Sequence, residues 1–154
     1  MRMPQLFAAE NREPSMPLVL VRTPTYRRPD LLGRALRCLQ AQTHGEWICE
    51  VRDDCPDGSA RAVVEDFGDP RIRYVPNRPQ KFMVRNLDDC FLRENPYGAD
   101  CFFMLEDDNQ VRPEFMERGL EIIGQAGVTI CQMNQVIEHD SRTGNARIRS
   151  EEHT

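Results

Sequence analysis

The chain has 154 residues, a length that suits one domain with its own hydrophobic core. Its 20 basic and 25 acidic side chains leave a formal net charge of −5, which gives no electrostatic reason to expect nucleic acid or an anionic membrane as a partner. No apolar run approaches the roughly 18 residues of a membrane span, and the N-terminus lacks the basic-then-apolar pattern of a secretory signal. These features predict a cytoplasmic protein without a transmembrane segment.

The first predicted strand follows a polar leader. Residues 1–16 contain prolines and scattered charges without apolar periodicity, so we expect a flexible leader followed by one domain over residues 17–154. Leu18 to Val21 form a short apolar run that is typical of a strand buried on both faces. The residues that follow at the end of this strand include Thr23, Pro24, Thr25 and Tyr26.

Helices and strands are predicted to alternate along the rest of the chain. Apolar residues at i, i+3, i+4 and i+7 after Pro29 indicate the first helix, and glycines at 68 and 124 are predicted to end the second and fourth helices. The predicted helices cover residues 29–39, 62–67, 81–91 and 113–123. The further predicted strands cover residues 47–51, 72–75, 100–105 and 128–137, and a hairpin turn is predicted at 141–145.

The six cysteines never approach a C-x-x-C spacing, and several of them lie in apolar stretches. In such surroundings cysteine packs as a small hydrophobic residue. We therefore predict free thiols rather than disulfides or a zinc site. The six are Cys38, Cys49, Cys55, Cys90, Cys101 and Cys131.

Strands that alternate with helices over short connections predict an α/β fold, a mostly parallel sheet with helices on both faces. In such sheets ligands bind outside the carboxyl ends of the strands. Four segments are therefore expected to share one rim, and they bring together hydroxyls, an aromatic ring, carboxylates and cations. These segments are residues 23–26, 53–57, 77–85 and 106–108.

The acidic cluster Glu106, Asp107 and Asp108 directly follows the apolar run of the fourth strand. Like charges this close destabilise one another unless a cation or a set of donors neutralises them. Mn²⁺ and Mg²⁺ take oxygen ligands and bind through one or two carboxylates while phosphate oxygens fill other positions. We therefore predict that Asp108, with Glu106 or Asp107, holds Mn²⁺ or Mg²⁺ together with the phosphates of a nucleoside diphosphate.

Other residues on the rim suit the remaining parts of such a ligand. Asp53 or Asp54 is expected to accept the N–H of a pyrimidine edge, and Tyr26 to lie against its ring. Lys81 or Arg85 is expected to pair with phosphate oxygens. The loop after the first strand has no G-x-G-x-x-G, and the chain has no P-loop sequence, which argues against a dinucleotide-binding protein and a P-loop NTPase.

Five segments follow one another along the chain. They are PLVLVRTPTYRRPDLLGRALRCLQAQTHGEW, VRDDCPDGS, FGDPRIRYVPN, VRNL and FFMLEDDN. In order and spacing they resemble the N-terminal, nucleotide-sugar-binding half of a family 2 glycosyltransferase with the GT-A fold. The resemblance implies transfer of a sugar from a nucleoside diphosphate sugar, a UDP-sugar being favoured, to an unknown acceptor with inversion at the anomeric carbon.

The same resemblance implies roles for individual residues. Thr25 and Tyr26 match the loop that holds the nucleoside, and Asp54 matches the carboxylate that contacts the base. Arg85 matches the arginine of the family's Ala-Arg-Asn segment. Residues 106–108 match the D-x-D element, whose last carboxylate, Asp108, is expected to ligate the metal.

Two departures from the family pattern bear on the site and on activity. Glu106 stands at the first D-x-D position and is one methylene longer than aspartate, and the loop before Arg85 lacks the usual glycines. The family's catalytic base and acceptor-binding segments lie downstream of the D-x-D, so no catalytic residue is assigned and the acceptor side is expected to be incomplete. The titratable residues of the tail are Glu138, His139 and Asp140.

Three functions remain in competition at this point. The first is the donor-binding part of an inverting glycosyltransferase. The second is a non-catalytic nucleotide-binding or interaction module, or an inactive fragment of a longer transferase. The third, sugar-nucleotidyl transfer, is disfavoured because no glycine-rich, lysine-bearing loop follows the first strand. An exposed edge after residues 128–137 also allows a homo-oligomer.

Overall fold

The computed structural model describes residues 16–133, which form four strands and four helices in strict alternation. The strands are β1 (Val19–Thr25), β2 (Trp47–Asp53), β3 (Ile72–Pro76) and β4 (Cys101–Met104). The helices are α1 (Pro29–Gln40), α2 (Arg61–Phe67), α3 (Phe82–Asp89) and α4 (Phe115–Ala126). The α/β fold predicted from the alternation is confirmed.

All strand pairs in the sheet are parallel, and the order is β3-β2-β1-β4. Thr25 pairs in register with Asp53, and Asp53 pairs with Pro76, so three strands end at the same level. The chain adds β2 and β3 on one side of β1 and then returns to place β4 on the other side. The order therefore reverses between β1 and β4, and the crevice outside such a reversal is where α/β sheets bind ligands.

One face of the sheet carries the hydrophobic core. Alternate residues of β1 and β2 pack against the apolar stripe of α1, and α2 and the start of α4 extend the same cluster. This placement follows from the i, i+3, i+4 and i+7 spacing of the α1 leucines, which puts them on one side of the helix. The core includes Val19, Val21, Leu32, Leu36, Leu39, Trp47, Cys49, Val51, Val64 and Met116.

The opposite face is held by a buried arginine. Arg22 is 1% exposed, and its guanidinium donates to Glu50 Oε2 at 3.1 Å and to backbone carbonyls that follow α3, namely those of Cys90, Leu92 and Glu94. Glu50 Oε2 also accepts from Arg52 at 2.7 Å. A buried charge is tolerated when it is paired and hydrogen-bonded, as it is here. Helices therefore lie on both faces, with α3 on the polar side.

Several boundaries differ from the prediction. β1 continues four residues past the predicted end at Val21, because Arg22 and Thr23 find buried partners on either face. α4 passes through Gly124 and ends at Ala126, and the following residue Gly127 has a φ of 62° and donates its N–H to Ile123 O. The predicted strand at 128–137 is wrong for residues 128–133, which are not in a strand, and its remaining residues lie outside the described range.

α3 also differs in orientation from a helix that packs through its apolar residues. Its buried residue is Asn86, whereas Val84 and Phe91 are 65% and 70% exposed. Asn86 is drawn inward because its amide donates to Arg52 O at 3.2 Å and its oxygen accepts from Asn77 at 2.9 Å. Polar partners on the sheet, rather than apolar area, decide how this helix lies.

The six thiols are free, as predicted. Among residues 16–133, none of the helices is both long and apolar enough to cross a membrane. The predicted leader up to residue 15, the tail residues Glu138, His139 and Asp140, and the hairpin at 141–145 lie outside the described residues. The assignment of residues 17–154 to one domain stays a prediction.

Candidate functional site

The carboxyl ends of β1 and β4 are joined by a hydrogen bond. The Thr25 hydroxyl donates to Asp107 Oδ2 at 2.8 Å, and both residues are buried. Burial raises the pKa of the Asp107 carboxyl and the charge of Asp108 adds to the rise, while the Thr25 hydrogen bond and the Arg28 guanidinium lower it. Thr25 therefore holds one carboxylate of the acidic cluster in a defined orientation at the crevice.

A single guanidinium nitrogen lies between two carboxylates of this cluster. Arg28 Nη1 is 3.3 Å from Asp107 Oδ1 and 3.0 Å from Asp108 Oδ2. The Asp108 and Arg28 side chains are about half exposed, and the Asp107 side chain is buried. The charge repulsion expected within the acidic cluster is thus relieved by a cation that the chain itself supplies.

Glu106 has a separate partner. Its Oε2 accepts from Asn109 Nδ2 at 3.0 Å on the exposed side of the loop. Across residues 16–133 no three histidine, cysteine or carboxylate side chains gather as a metal-ligand cluster. An ion that also coordinates phosphate oxygens needs one or two protein carboxylates. Asp107 and Asp108, which already share one positive group, fit that requirement, and metal ligation by Glu106 stays a prediction.

Asp53 is buried and bonded within its own turn. Its Oδ1 accepts the Cys55 N–H at 2.9 Å, and its Oδ2 accepts the Ala60 N–H at 3.0 Å and the Tyr74 hydroxyl at 3.1 Å. A side-chain oxygen that bonds the N–H two residues on is a common way to stabilise a turn. Asp53 therefore stabilises the turn formed by residues 54–60.

Asp54 is bonded to the start of α3. Its Oδ1 accepts the Lys81 N–H at 2.7 Å and the Asn77 amide at 2.9 Å, and its Oδ2 accepts the Phe82 N–H at 2.8 Å. A carboxylate is favourable at a helix N-terminus because the first N–H groups have no partner within the helix. Asp54 is 3% exposed, so contact with a base, as the family resemblance implies, stays a prediction.

The loop after β1 brings its side chains to different depths. Thr23 and Pro24 are buried within β1, and the Thr23 hydroxyl lies 3.6 Å from Cys49 Sγ, directed into the core. Tyr26 is 44% exposed at the rim, with the Arg27 guanidinium 5.4 Å from the centre of its ring. This placement leaves Thr25 and Tyr26 as the residues of this loop that reach the crevice.

The two predicted phosphate-binding cations lie at the start of α3. Lys81 Nζ forms an ion pair with Asp89, and Arg85 is exposed without an ion pair among the described residues. Sequence reasoning missed Arg28 as a partner of the acidic cluster. The signal was present, because two arginines directly follow Tyr26 at the end of β1 and face the rim that β4 also reaches.

Comparisons with known proteins identify the family and the fold of the chain. The family model described as glycosyl transferase family 2 matches residues 21–153. None of the curated proteins compared with this chain matches it. Among solved structures, TarS residues 1–349 of S. aureus in complex with UDP-GlcNAc is similar with a TM-score of 0.59 and 15% identity. That alignment covers 77% of this chain and 37% of the TarS chain.

A mannosyltransferase from Pyrobaculum calidifontis, solved with GDP-Man and Mn²⁺, is similar with a TM-score of 0.57 and 17% identity over 70% of this chain and 32% of that one. The chain thus spans less than half the length of these structural relatives, and identities this low establish the fold alone. The family match extends over most of the chain and includes the loop after β1 and the acidic cluster. The chain belongs to glycosyl transferase family 2.

Proposed function

We propose that this chain binds a nucleoside diphosphate sugar through Mn²⁺ or Mg²⁺ and forms the donor side of an inverting transfer of the sugar to an acceptor. The observation that carries the proposal is the convergence of Asp107 and Asp108 on one positive group at the reversal between β1 and β4. The two carboxylates that would bind a cation therefore lie at the crevice where α/β sheets bind ligands. Family membership supports the same chemistry.

Each residue contributes a separate part of donor binding. Asp107, oriented by Thr25, and Asp108 would hold the metal, which supplies positive charge that stabilises a departing diphosphate. Tyr26 offers an exposed ring to the base, and Lys81 and Arg85 offer positive charge to phosphate oxygens. Asp53 and Asp54 act on the frame of the site, since their oxygens hold the turn after β2 and the start of α3.

The identity of the base is a finer question. A UDP-sugar is favoured from the family pattern around Asp54, and TarS was solved in complex with UDP-GlcNAc and with UDP. The mannosyltransferase was solved with GDP-Man, so structures of this fold are known with a uracil and with a guanine nucleotide. We therefore propose UDP and keep GDP as the comparison ligand. The acceptor, the catalytic base, the cytoplasmic location and a homo-oligomer stay predictions.

Calorimetry and thermal-shift measurements with UDP and GDP, each with Mn²⁺ or with EDTA, test donor binding. A ligand at 100 times its Kd stabilises a protein by about 2.7 kcal/mol, so UDP with Mn²⁺ should raise the melting temperature by several degrees. Equal shifts in EDTA would contradict the metal bridge. No shift with either nucleotide would reject the proposal.

A donor-turnover assay against a panel of acceptors separates the transferase from the alternative, a nucleotide-binding module without turnover. The two functions share the crevice and differ in whether sugar leaves the nucleotide. Transfer of sugar to an acceptor would support the transferase, and donor binding without turnover would favour the module. A general base contributes about 10²- to 10⁴-fold in rate, so a loss of that size in His139→Ala or Asp140→Ala would locate the base in the tail.

A further inference from the structure

Arg28 occupies the position between the two carboxylates that the proposed metal ion would need. Its Nη1 contacts Asp107 Oδ1 and Asp108 Oδ2 at 3.3 and 3.0 Å. Asp107 is also fixed by the Thr25 hydroxyl, so the buried carboxylate has little freedom to turn toward a second cation elsewhere. A divalent ion bound by this pair would meet the guanidinium at the same oxygens, and two positive groups at that separation repel each other.

The backbone of Arg28 is held while its side chain is free to move. Arg28 is the N-cap residue of α1, and its carbonyl oxygen accepts the Leu32 N–H at 2.9 Å, so the Cα position is set by the helix. The side chain is 52% exposed, and its ion-pair partners within residues 16–133 are the two carboxylates. The guanidinium is therefore able to leave the carboxylates without disturbing the fold.

We propose that Arg28 exchanges partners when donor binds: it neutralises Asp107 and Asp108 in the metal-free protein, and the entering metal displaces it onto the diphosphate. This inference rests on the proposed function. A guanidinium tethered beside a metal-bound diphosphate is suited to paired hydrogen bonds with phosphate oxygens, which are stronger than bonds between neutral groups. Arg28 thus stabilises both states of the site, with a different partner in each.

The exchange predicts opposite effects on two affinities, which a purely structural arginine would not produce. Removing Arg28 removes a competitor for the carboxylates, so Mn²⁺ should bind more tightly when no nucleotide is present. Removing it also removes a phosphate partner, so UDP should bind more weakly when Mn²⁺ is saturating. Arg27 is the matched control, because it is adjacent, similarly exposed at 56%, and paired with Asp57 instead of the acidic cluster.

The test compares the parent chain with Arg28→Gln and Arg27→Gln. Free Mn²⁺ is titrated by electron paramagnetic resonance without nucleotide, and UDP binding is measured by calorimetry with saturating Mn²⁺. Loss of two ion pairs made by a half-exposed guanidinium, one to a buried and one to a half-exposed carboxylate, predicts that Arg28→Gln raises Mn²⁺ affinity about threefold to tenfold. Loss of a charge-assisted phosphate contact predicts that UDP affinity falls about tenfold or more. Arg27→Gln should change Mn²⁺ affinity by no more than about twofold, because Arg27 contacts Asp57 and the Tyr26 ring and not the acidic cluster.

The outcomes separate the exchange from the proposed function. If Arg28→Gln leaves both affinities unchanged while the parent binds UDP with Mn²⁺, the exchange is wrong and donor binding stands. If both affinities fall together with the melting temperature, Arg28 is a structural residue and the exchange is again wrong. A parent chain that binds neither Mn²⁺ nor UDP rejects donor binding and the exchange with it.

Discussion

Replacement of Asp54 by alanine removes the acceptor for three donors that converge on one buried carboxylate. The Lys81 and Phe82 N–H groups and the Asn77 amide donate to it at 2.7, 2.8 and 2.9 Å. The bond from Asn77 is buried, and leaving a buried donor without a partner costs about 1–3 kcal/mol. The two N–H bonds are part-buried, and losing such bonds at a helix N-terminus costs about 1 kcal/mol. These costs overlap, because two of the three donors are the N–H groups of the N-cap residue Lys81 and of Phe82, the first residue of α3. We expect a total loss near 3 kcal/mol.

For a chain of this size, a loss of about 3 kcal/mol lowers the melting temperature by about 6–12 °C. Thermal unfolding followed by far-UV circular dichroism, without metal or nucleotide, measures this directly. Asp57→Ala is the matched control, since Asp57 lies in the same turn but its side chain is 77% exposed and forms an exposed ion pair with Arg27. The control should stay within about 2 °C of the parent.

The opposite result would refute the structural role given to Asp54. If Asp54→Ala melts together with the Asp57→Ala control and yet loses UDP binding, the carboxylate is dispensable for α3. Its function would then be the contact with the base that the family resemblance implies. A variant that melts early and also loses UDP would leave the structural role intact, because displacement of the loop before α3 explains both effects.

Three further changes have defined outcomes. Asp108→Asn should abolish the part of UDP stabilisation that depends on Mn²⁺. Its melting temperature without metal should stay within about 2 °C of the parent, because an exposed carboxylate contributes little to stability. A lower melting temperature without metal would show that Asp108 has a structural role. Arg22→Met should lower the free energy of unfolding, measured in urea, by about 3–5 kcal/mol, since Glu50 loses a buried partner and three carbonyls lose their donor. A decrease under about 1 kcal/mol would contradict the structural role of Arg22. The hydrogen bond from Arg71 lowers the pKa of Asp69, so this carboxylate stabilises the fold above its unfolded pKa near 4 and loses that contribution as pH falls toward the lowered value. Asp69→Asn should therefore lower the melting temperature at neutral pH, and its difference from the parent should shrink below about pH 4; a difference constant with pH would refute the linkage.

The pattern of strands and helices was predictable because it depends on residues close together in sequence. The apolar run before Arg22 and the leucine spacing of α1 are local signals, and the parallel sheet follows from their alternation. The rule that ligands bind at the carboxyl ends of strands then predicted which segments share a rim. The structure confirms that the end of β1 contacts the acidic cluster, because Thr25 donates to Asp107. Family membership was predictable for the same reason, since its motifs lie at strand ends.

What could not be predicted depends on partners far away in the chain. Asp53 and Asp54 have the composition of a ligand site, but their oxygens are taken by donors that only the folded loops bring near, among them the N–H groups of Lys81 and Phe82. Asn86 replaces the apolar residues of α3 as the buried contact for the same reason. A residue type states which bonds a side chain is able to make, and the tertiary fold decides which of them it makes.

The bond between Thr25 and Asp107 joins residues 82 positions apart in the chain. Two strands and three helices lie between β1 and β4 in the chain, and β4 completes the crevice only when it pairs with β1. Closing a loop of this length early is entropically costly, so we expect the carboxylate pair to assemble among the last events of folding. Metal-dependent nucleotide binding would then report on completion of the whole sheet, and an intermediate with β1, β2 and β3 paired would have helices and a core but no ability to bind donor.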